Sequence, residues 1–403
     1  MFVSKFAHLY SGVVSAVKPS LMNQILAGQK PGAIHLSGGF PDPNYFPREE
    51  IKEITNYVMD NEAAMALQYG DPTGYRKLRE HVVEIANSKN QKASLDNVMI
   101  VNGSTESFFL MCKLFVNPGD YIIVEEPTYS GAIQSFKLHG ANMLTVPIDD
   151  DGVIPEKVED VLAAKKAEGI QVKFMYILPN YQNPAGVSLS LERRKKLLEI
   201  AQKYGVIIFE DDAYIEFRYE GEELPTIKSM DDSGLVVYTT TFSKTFAPGT
   251  RIGWVVAEPE LIKALTMIKG GTILMSSPLT QALAAEFSIR GYLTNHVERS
   301  KKLYKARKDA MLVALDKYMP EGVTWTKPQG GYFLWVTAPA TIDGVQMLKD
   351  AVEAGVSYRP GPSFYVDDSK GWHQARLCFT TVDEETIDRG IKIFADVIRK
   401  LIK

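Results

Sequence analysis

Short apolar runs alternate with longer amphipathic segments through the middle of the chain. Several of these runs are apolar throughout, which is typical of strands buried on both faces of a parallel sheet. The segment Leu191–Tyr204 has apolar residues at helical spacing among arginines and lysines. This alternation predicts an α/β fold with a mostly parallel sheet and helices on both of its faces. The candidate strands are Val98–Val101, Tyr121–Glu125, Met143–Pro147, Val172–Leu178, Val206–Glu210, Leu235–Thr240 and Ile252–Ala257.

The pattern changes after about residue 290, where helical spacing becomes dominant. The apolar positions from Leu293 to Tyr318 predict one long helix. The later candidates are strands at Tyr332–Thr337 and Ala375–Thr380, and helices at Gly344–Ala354 and Glu384–Leu401. These elements predict a smaller α+β domain, which the N-terminal segment joins. We expect a large domain over residues 45–290 and a small domain built from residues 1–44 and 291–403.

Composition narrows the class of protein without naming it. The 403 residues are 45% hydrophobic, which excludes disordered and fibrous chains. The net charge of −4 favours neither a nucleic acid nor an anionic membrane as partner. Cys112 and Cys378 lie in apolar runs and predict core packing in a reducing compartment. With no export signal and no membrane-spanning run in the sequence, we expect a cytoplasmic enzyme with a small-molecule substrate.

The stretch T-T-T-F-S-K-T-F-A-P-G-T-R-I-G-W, residues 239–254, carries the clearest chemistry. It follows a predicted buried strand and places Lys244 beside the hydroxyls of Thr241 and Ser243, with Arg251 further on. A lysine near a second cation can have a lowered amine pKa, which favours Schiff-base chemistry. Hydroxyls with one arginine also suit a phosphate dianion. The alternative is a solvated loop lysine, and the complete string argues against it.

The ends of two further predicted strands carry polar groups. Asn183 lies in P-N-Y-Q-N-P-A-G, where its amide can donate a hydrogen bond to an anionic oxygen. Asp211 lies in E-D-D-A-Y, and three acids after a buried strand are costly unless a cation lies nearby. An ordinary turn would explain the first motif, and a cluster capping a helix would explain the second.

Two other positions favour anion binding. The run V-N-G-S-T-E-S, residues 101–107, enters an apolar helical segment, where backbone N–H groups can hold an anion. Ordinary serine or threonine capping explains that run equally well. Arg376 lies inside the alternating strand A-R-L-C-F-T, where it requires an anionic partner if its side chain points inward. The alternative is an arginine that points outward from the strand.

These five stretches, in this order, resemble the fold-type-I pyridoxal-phosphate aminotransferases of class I/II. The likeness is strongest to the 2-aminoadipate, kynurenine and aromatic aminotransferase subgroup, and it extends from about Leu36 to the C-terminus. L-S-G-G-F-P-D-P at 36–43 and Q-Y-G-D-P-T-G-Y-R-K-L-R at 68–79 also fit. The resemblance implies a mostly parallel seven-stranded-type sheet plus a smaller α+β domain. It also implies transfer of an amino group from an α-amino acid to a 2-oxo acid, such as 2-oxoglutarate, by a ping-pong mechanism.

The resemblance implies specific roles at the cofactor ring. Lys244 would form the Schiff base with pyridoxal phosphate and then move the substrate proton. Asp211 would pair with the pyridinium nitrogen. Asn183 and Tyr214 would hydrogen-bond the ring 3′-oxygen, and Tyr129 would stack on the ring face.

At the phosphate, the family pattern implies binding by Ser104, Thr105, Thr241, Ser243 and Arg251. The phosphate-binding run of the subgroup usually reads G-S-Q, whereas this chain has Gly103-Ser104-Thr105. Because a shorter hydroxyl can still hydrogen-bond a phosphate, we expect phosphate binding to be retained.

Four positions concern the substrate and a partner subunit. Arg376 would bind the substrate α-carboxylate, and Gly39 would line the same end of the pocket. Tyr69 would reach a neighbouring subunit's phosphate, which implies a homodimer with shared active sites. Aminoadipate-type members place an arginine on an N-terminal helix, and the resemblance aligns Met22 of this chain with it. A methionine there favours aromatic or aliphatic side chains over dicarboxylates, unless Met22 only packs in the core.

Two other functions are compatible with parts of this pattern. A carbon–sulfur β-lyase on the same fold would use the same Lys244, Asp211 and Arg376. A transcription regulator would carry this domain behind a winged-helix DNA-binding domain. The family match begins within about 35 residues of the N-terminus, so we expect no such domain here. No metal site is predicted.

Overall fold

A computed structural model describes residues 5–15, 21–28 and 31–402. The strands are β1 Ile34–His35, β2 Val98–Val101, β3 Tyr121–Glu126, β4 Asn142–Asp149, β5 Gly152–Val153, β6 Val172–Ile177, β7 Ile207–Asp211, β8 Val236–Thr241, β9 Gly253–Val256, β10 Thr324–Trp325, β11 Phe333–Thr337, β12 Val356–Ser357, β13 Arg359–Pro360 and β14 Gln374–Cys378. The helices are α1 Gly12–Ser15, α2 Leu21–Ala27, α3 Arg48–Asn61, α4 Ala63–Ala66, α5 Arg76–Ser88, α6 Ser104–Phe115, α7 Ser130–Leu138, α8 Pro155–Ala167, α9 Leu191–Tyr204, α10 Pro259–Gly270, α11 Pro278–Ile289, α12 Tyr292–Tyr318, α13 Gly344–Ala354 and α14 Glu384–Leu401.

The large sheet has the strand order β2-β9-β8-β7-β6-β3-β4-β5. Strands β8, β7, β6, β3 and β4 pair in parallel, whereas β9 runs antiparallel to both β2 and β8. The prediction of a mostly parallel sheet is therefore confirmed, and each of the seven candidate strands forms in it. The short strand β5, which pairs antiparallel with β4, has no counterpart among the predicted strands.

Helices cover both faces of this sheet because successive strand residues point in opposite directions. In β2, Met99 packs in one hydrophobic cluster with Phe108 of α6, whereas Ile100 packs in another with Ala285 of α11. All three apolar side chains and Ala285 are buried. This two-sided burial explains why the strands are apolar throughout rather than alternating.

The carboxyl ends of the central strands lie side by side. Strands β7 and β8 are parallel neighbours in which Asp211 is paired with Thr239. Asp211 is the last residue of β7 and Thr241 the last residue of β8. Ligand sites of open α/β sheets lie at this edge, so both residues stand where the fold favours a site.

A smaller antiparallel sheet has the order β10-β11-β14-β13. Helices α12 and α14 pack beside it in one hydrophobic cluster that includes Leu315 and Ile391. From the N-terminal part of the chain, β1 pairs in parallel with β12, with Ile34 opposite Val356. The smaller α+β unit agrees with the expected fold class, while the predicted domain boundaries stay a prediction.

A buried ion pair holds the N-terminal segment against α12. Arg307 donates from Nη2 to Oδ2 of Asp42 at 2.9 Å, and the Asp42 N–H donates to the Tyr304 hydroxyl at 3.0 Å. Asp42 is 3% exposed and Arg307 7% exposed, so water does not screen the pair. The contact anchors the segment 36–43, in which the carbonyl of Gly39 accepts a hydrogen bond from Lys244, three residues after the end of β8.

Candidate active site

Lys244 lies three residues after the end of β8, with its amine inside the protein. Its Nζ donates a hydrogen bond to the carbonyl of Gly39 at 2.8 Å and lies 5.5 Å from the centre of the Tyr214 ring. Burial lowers the pKa of the Lys244 amine to about 8. A substantial fraction of the amine is therefore neutral near physiological pH, which is the form that attacks a carbonyl.

This amine faces a cavity of about 490 Å³. Most of the site residues predicted from the sequence line that cavity. They are Gly39, Ser104, Thr105, Tyr129, Asn183, Asp211, Tyr214, Thr241, Ser243, Lys244, Arg251 and Arg376. The fold therefore brings together side chains that are separated by more than 300 positions in the sequence.

Asp211 presents one carboxylate oxygen without a partner. The Tyr176 hydroxyl donates to its Oδ2 at 2.7 Å, whereas the buried Oδ1 has no hydrogen bond to any described residue. Burial raises the pKa of Asp211 to about 6, and the Tyr176 hydrogen bond acts in the opposite direction. Because an unpaired buried carboxylate oxygen is costly, this position suits a ligand that donates a proton or an N–H group.

The two acids beside Asp211 are satisfied within the protein. Glu210 accepts hydrogen bonds from the backbone N–H groups of Ile227 and Lys228, each at 2.8 Å. Asp212 accepts from Nδ2 of Asn180 at 2.9 and 3.0 Å. A turn, not a helix, follows these acids, so the interpretation as a helix cap is wrong. The strand alternation leaves Asp211 as the acid that lines the cavity.

The opposite end of the cavity forms an anion cradle. Gly103 has φ +66° and caps α6, where the first N–H groups lack partners within the helix. Arg251, with φ +53°, donates to the Ser243 hydroxyl at 3.3 Å and to the Asn102 carbonyl at 3.2 Å. A Cβ at Gly103 would clash with Nη2 of Arg251. The glycine therefore allows the guanidinium to lie directly against the helix start.

The Tyr129 ring forms part of the cavity wall and depends on a close backbone approach. A Cβ at Gly131 would lie 2.6 Å from Cζ of Tyr129, so glycine provides room for the ring. Tyr129 also packs against Phe108, with ring centres 6.0 Å apart. An aromatic ring held in this way can stack on a flat ligand.

Arg376 lies at the other side of the cavity and points inward, so the interpretation as an outward-facing arginine is wrong. Its Nη1 donates to Oδ1 of Asn183 and its Nη2 to the carbonyl of Ser37, both at 2.9 Å. The guanidinium carbon lies 4.0 Å from the centre of the Phe333 ring. Burial lowers the pKa of Arg376 to about 10, so it is charged at neutral pH. Its hydrogen-bond acceptors among the described residues, Asn183 and the carbonyls of Ser37 and Gly38, are uncharged, so the guanidinium is available to an anion.

One predicted residue lies away from the cavity, and the side chain of another is outside the described part of the chain. Tyr69 is 77% exposed and borders a separate groove with Met65 and Pro278. Met22 lies on α2, and its side chain is outside the described residues. Their roles therefore stay predictions.

Three residues of the site were missed by the sequence analysis. Tyr176 is the penultimate residue of the mostly apolar strand β6, where the sequence does not distinguish it from a core aromatic residue. Phe333 supports Arg376, and its position in a predicted strand gave no sign of that contact. Arg359 lines the cavity from the two-residue strand β13, which no periodic pattern marks. The sequence signal for Arg359 was its position in Y-R-P-G, where a charged residue lies between a tyrosine and a proline-glycine pair.

The sequence of this chain matches a known enzyme family. A family model described as "Aminotransferase class I and II" matches residues 37–394. The chain belongs to the class I and II aminotransferases. Its relatives include the aromatic-amino-acid aminotransferase 1 of Thermococcus litoralis, which is 44% identical over 372 residues, 92% of this chain and 89% of that protein. The resemblance proposed from the sequence is thereby confirmed.

Two solved structures extend this likeness to the whole fold of the aminotransferase. The kynurenine aminotransferase of Pyrococcus horikoshii, in complex with PMP, is 40% identical, covers 100% of both chains and has a TM-score of 0.95. The α-aminoadipate aminotransferase LysN of Thermus thermophilus, complexed with N-(5′-phosphopyridoxyl)-L-leucine, is 30% identical, covers 99% of both chains and has a TM-score of 0.90. The predicted fold type I is confirmed by these structures.

Members of this family use pyridoxal phosphate, and the cavity of this aminotransferase fits it. The unpaired Oδ1 of Asp211 suits a protonated ring nitrogen. The cradle at Arg251 suits a phosphate, and the amine of Lys244 lies in the same cavity. Among the residues that the structure describes, no cluster of three or more acidic, histidine or cysteine side chains could bind a metal ion.

Proposed function

We propose that this aminotransferase moves the amino group of an aromatic or aliphatic amino acid to 2-oxoglutarate, by a ping-pong mechanism, with 2-aminoadipate as a further donor. The observation that carries this proposal is that Lys244, Asp211 and Arg376 line one cavity. Apolar side chains of Phe40, Leu178 and Phe333 line the same cavity and suit an apolar donor.

Pyridoxal phosphate, when bound, supplies an electron sink that makes the substrate α-proton acidic. We assign Lys244 as the residue that holds the cofactor and then accepts and returns this proton. Asp211 keeps the ring nitrogen protonated, because its buried carboxylate gains its missing partner there. Asn183 and Tyr214 hydrogen-bond the ring 3′-oxygen. All four residues line the cavity.

The remaining assignments concern the two ends of the cavity. Ser104, Thr105, Thr241, Ser243 and Arg251 hold the phosphate, and Tyr129 stacks on the ring. The guanidinium of Arg376 binds the substrate α-carboxylate beside Gly39, because Asn183 and Ser37 already fix its orientation. A fixed charge reduces the ordering that substrate binding requires.

We also propose a homodimer in which Tyr69 reaches the neighbouring subunit's phosphate. Leu67, Tyr69 and Leu274 are exposed by 70%, 77% and 47%. Their two segments meet where the N–H of Gly70 lies 2.7 Å from Sδ of Met275. Exposed apolar side chains of this density suit burial by a second copy of the chain.

We propose a cytoplasmic location. Both cysteines, Cys112 and Cys378, are free and buried, and their side chains require no oxidising compartment. No helix in the described part of the chain has the length and apolarity to span a bilayer.

The decisive experiment is a panel of amino-donor half-reactions followed through the cofactor spectrum. Aromatic, branched and dicarboxylic amino acids are first compared as single donors, and each is then paired with 2-oxoglutarate as acceptor. We expect glutamate as product, with aromatic or branched donors giving the largest kcat/KM. Pyruvate and ammonia released from a cysteine conjugate, without glutamate, would instead indicate elimination.

A further inference from the structure

A second arginine lies beside Arg376 on the neighbouring strand. Strands β13 and β14 pair antiparallel, with Arg359 directly opposite Arg376. Residues directly opposite each other in an antiparallel pair project from the same face of the sheet. Both arginines line the cavity that contains Lys244. The substrate end of the site therefore holds two cations side by side.

No acidic side chain in the described part of the chain is paired with Arg359. Among the described residues, its guanidinium makes no side-chain hydrogen bond and no ion pair. Burial lowers the pKa of Arg359. Arg359 also contributes, after burial, to the lowered pKa of Arg376. Two arginines directly opposite each other repel and destabilise the sheet unless anions neutralise them. A ligand with two negative groups would neutralise both.

The positions of the two arginines distinguish their roles. Arg376 lies on an inner strand, and Asn183 and Ser37 hold its guanidinium in one orientation. Arg359 lies on the edge strand β13, whose backbone is about 4.8 Å from that of β14. Because both side chains line one cavity from neighbouring strands, each guanidinium can meet one carboxylate of a short dicarboxylate.

We propose that Arg359 binds the distal carboxylate of a dicarboxylic substrate, the class that includes 2-oxoglutarate and glutamate. The proposal rests on the proposed function, in which such an acid is the amino acceptor. It explains how one cavity serves an apolar donor and an acidic acceptor. Apolar side chains meet Phe40, Leu178 and Phe333, whereas the distal carboxylate meets Arg359. The acidic side chain of a substrate therefore meets a cation, Arg359, although this chain has Met22 where aminoadipate-type relatives have an arginine.

The test measures the two half-reactions separately in Arg359→Met, Arg359→Lys and the native holoenzyme. We expect Arg359→Met to lower kcat/KM for glutamate and 2-oxoglutarate by about tenfold to a hundredfold, the size of a charge-assisted hydrogen bond. The value for phenylalanine should change less than about threefold by the same reasoning. Arg359→Lys should restore part of the loss. Arg389→Met, which removes an exposed arginine of α14, is the matched control.

A binding measurement separates this role from a role at the α-carboxylate. Glutarate and valerate have carbon chains of the same length, but glutarate has two carboxylates and valerate has one. We expect the inhibition constant of glutarate to rise in Arg359→Met and that of valerate to stay unchanged. An equal loss for glutamate and phenylalanine, or equal effects on both inhibitors, would overturn the proposal. Failure of the native enzyme to form glutamate from 2-oxoglutarate would instead contradict the proposed function itself.

Discussion

Tyr176 donates a 2.7 Å hydrogen bond to Oδ2 of Asp211, and the two residues come from the adjacent parallel strands β6 and β7. Burial raises the pKa of Asp211 to about 6, whereas this hydrogen bond favours the charged form. Tyr176 therefore helps to keep Asp211 ionised at neutral pH while the other oxygen faces the cavity. Its proposed role is to position and tune Asp211, not to contact the substrate.

We predict that Tyr176→Phe shifts the acid limb of the kcat/KM profile to higher pH. Loss of a hydrogen bond to the charged form raises the pKa of Asp211 further, so a higher pH is required to ionise it. Near pH 7, kcat should fall by about tenfold, in line with one hydrogen bond to a charged group. Steady-state rates from pH 5 to 9 measure both effects.

Tyr358→Phe is the matched control for this experiment. Tyr358 is also a buried tyrosine, but its hydroxyl has no hydrogen-bond partner among the described residues. Its replacement should leave the acid limb in place. An acid limb that is the same in Tyr176→Phe and in the native enzyme would contradict the tuning role.

A second prediction compares two buried lysines. Burial lowers the pKa of both Lys244 and Lys269 to about 8. The Nζ of Lys269 donates to the Ser276 hydroxyl at 3.0 Å and to the Ile100 carbonyl at 2.5 Å, outside the cavity. Lys244→Ala should lower kcat by about 10⁴-fold or more, because it removes the base as well as the covalent attachment. Lys269→Met should still attach pyridoxal phosphate covalently, through Lys244.

The measurement is the mass of the proteolytic peptides after borohydride reduction with pyridoxal phosphate, which locates the modified lysine. In the native enzyme the adduct should form on Lys244, faster as the pH rises through about 8, because only the neutral amine attacks. Attachment to Lys269, or full turnover by Lys244→Ala, would show that the assignment is wrong.

Much of the fold could be predicted because its longer elements have strong periodicity. The helix Leu191–Tyr204 has the same bounds in the structure as in the prediction, and so has Glu384–Leu401. Two-residue strands such as β5 and β13 contain no complete period, so no pattern marked them. Arg359 was missed for that reason, since its position opposite Arg376 depends on a pairing between distant segments.

The candidate site was predictable where a residue follows a strand within a motif. Lys244 and Asp211 are of this kind, because parallel strands end at one edge of the sheet. Tyr176 is different, since it lies inside an apolar run and faces Asp211 through the pairing of β6 with β7. Side-chain partners across strands follow from register, which the local sequence does not contain.

A third prediction concerns the glycine before α6. Gly103→Ala places a Cβ against Nη2 of Arg251 and also puts alanine at φ +66°, which is strained. The guanidinium must move from the phosphate cradle, so we expect the dissociation constant of pyridoxal phosphate to rise by about tenfold or more. Gly119→Ala is a control with positive φ and open space around its Cβ. Equal cofactor affinity in both variants would contradict this explanation.

A fourth prediction tests the ion pair between Asp42 and Arg307. Asp42→Ala leaves a buried arginine without its carboxylate, which should lower the free energy of unfolding by about 3–5 kcal/mol. Because the same segment carries Gly39, the KM for the amino donor should rise. Denaturant unfolding and steady-state kinetics measure the two effects. Asp396→Ala, which breaks an exposed pair with Arg399, should change stability by less than about 1 kcal/mol.

The fifth prediction tests whether Tyr69 serves a neighbouring subunit. Tyr69→Phe should raise the dissociation constant of pyridoxal phosphate by about tenfold, because one hydrogen bond to the phosphate is lost. In a hybrid of Tyr69→Phe and Lys244→Ala subunits, a shared site would combine the intact Lys244 of one chain with the intact Tyr69 of the other. That site should regain native affinity.

Hybrids of native and doubly substituted subunits give the opposite arrangement and serve as the control. The intact Lys244 is then next to the partner's altered position 69, so a shared site predicts the weakened affinity of Tyr69→Phe. If Tyr69 acted within its own chain, the first hybrid would bind weakly and the second would bind like the native enzyme. The two hybrids contain the same number of substitutions, so a general loss of stability cannot produce the expected difference between them.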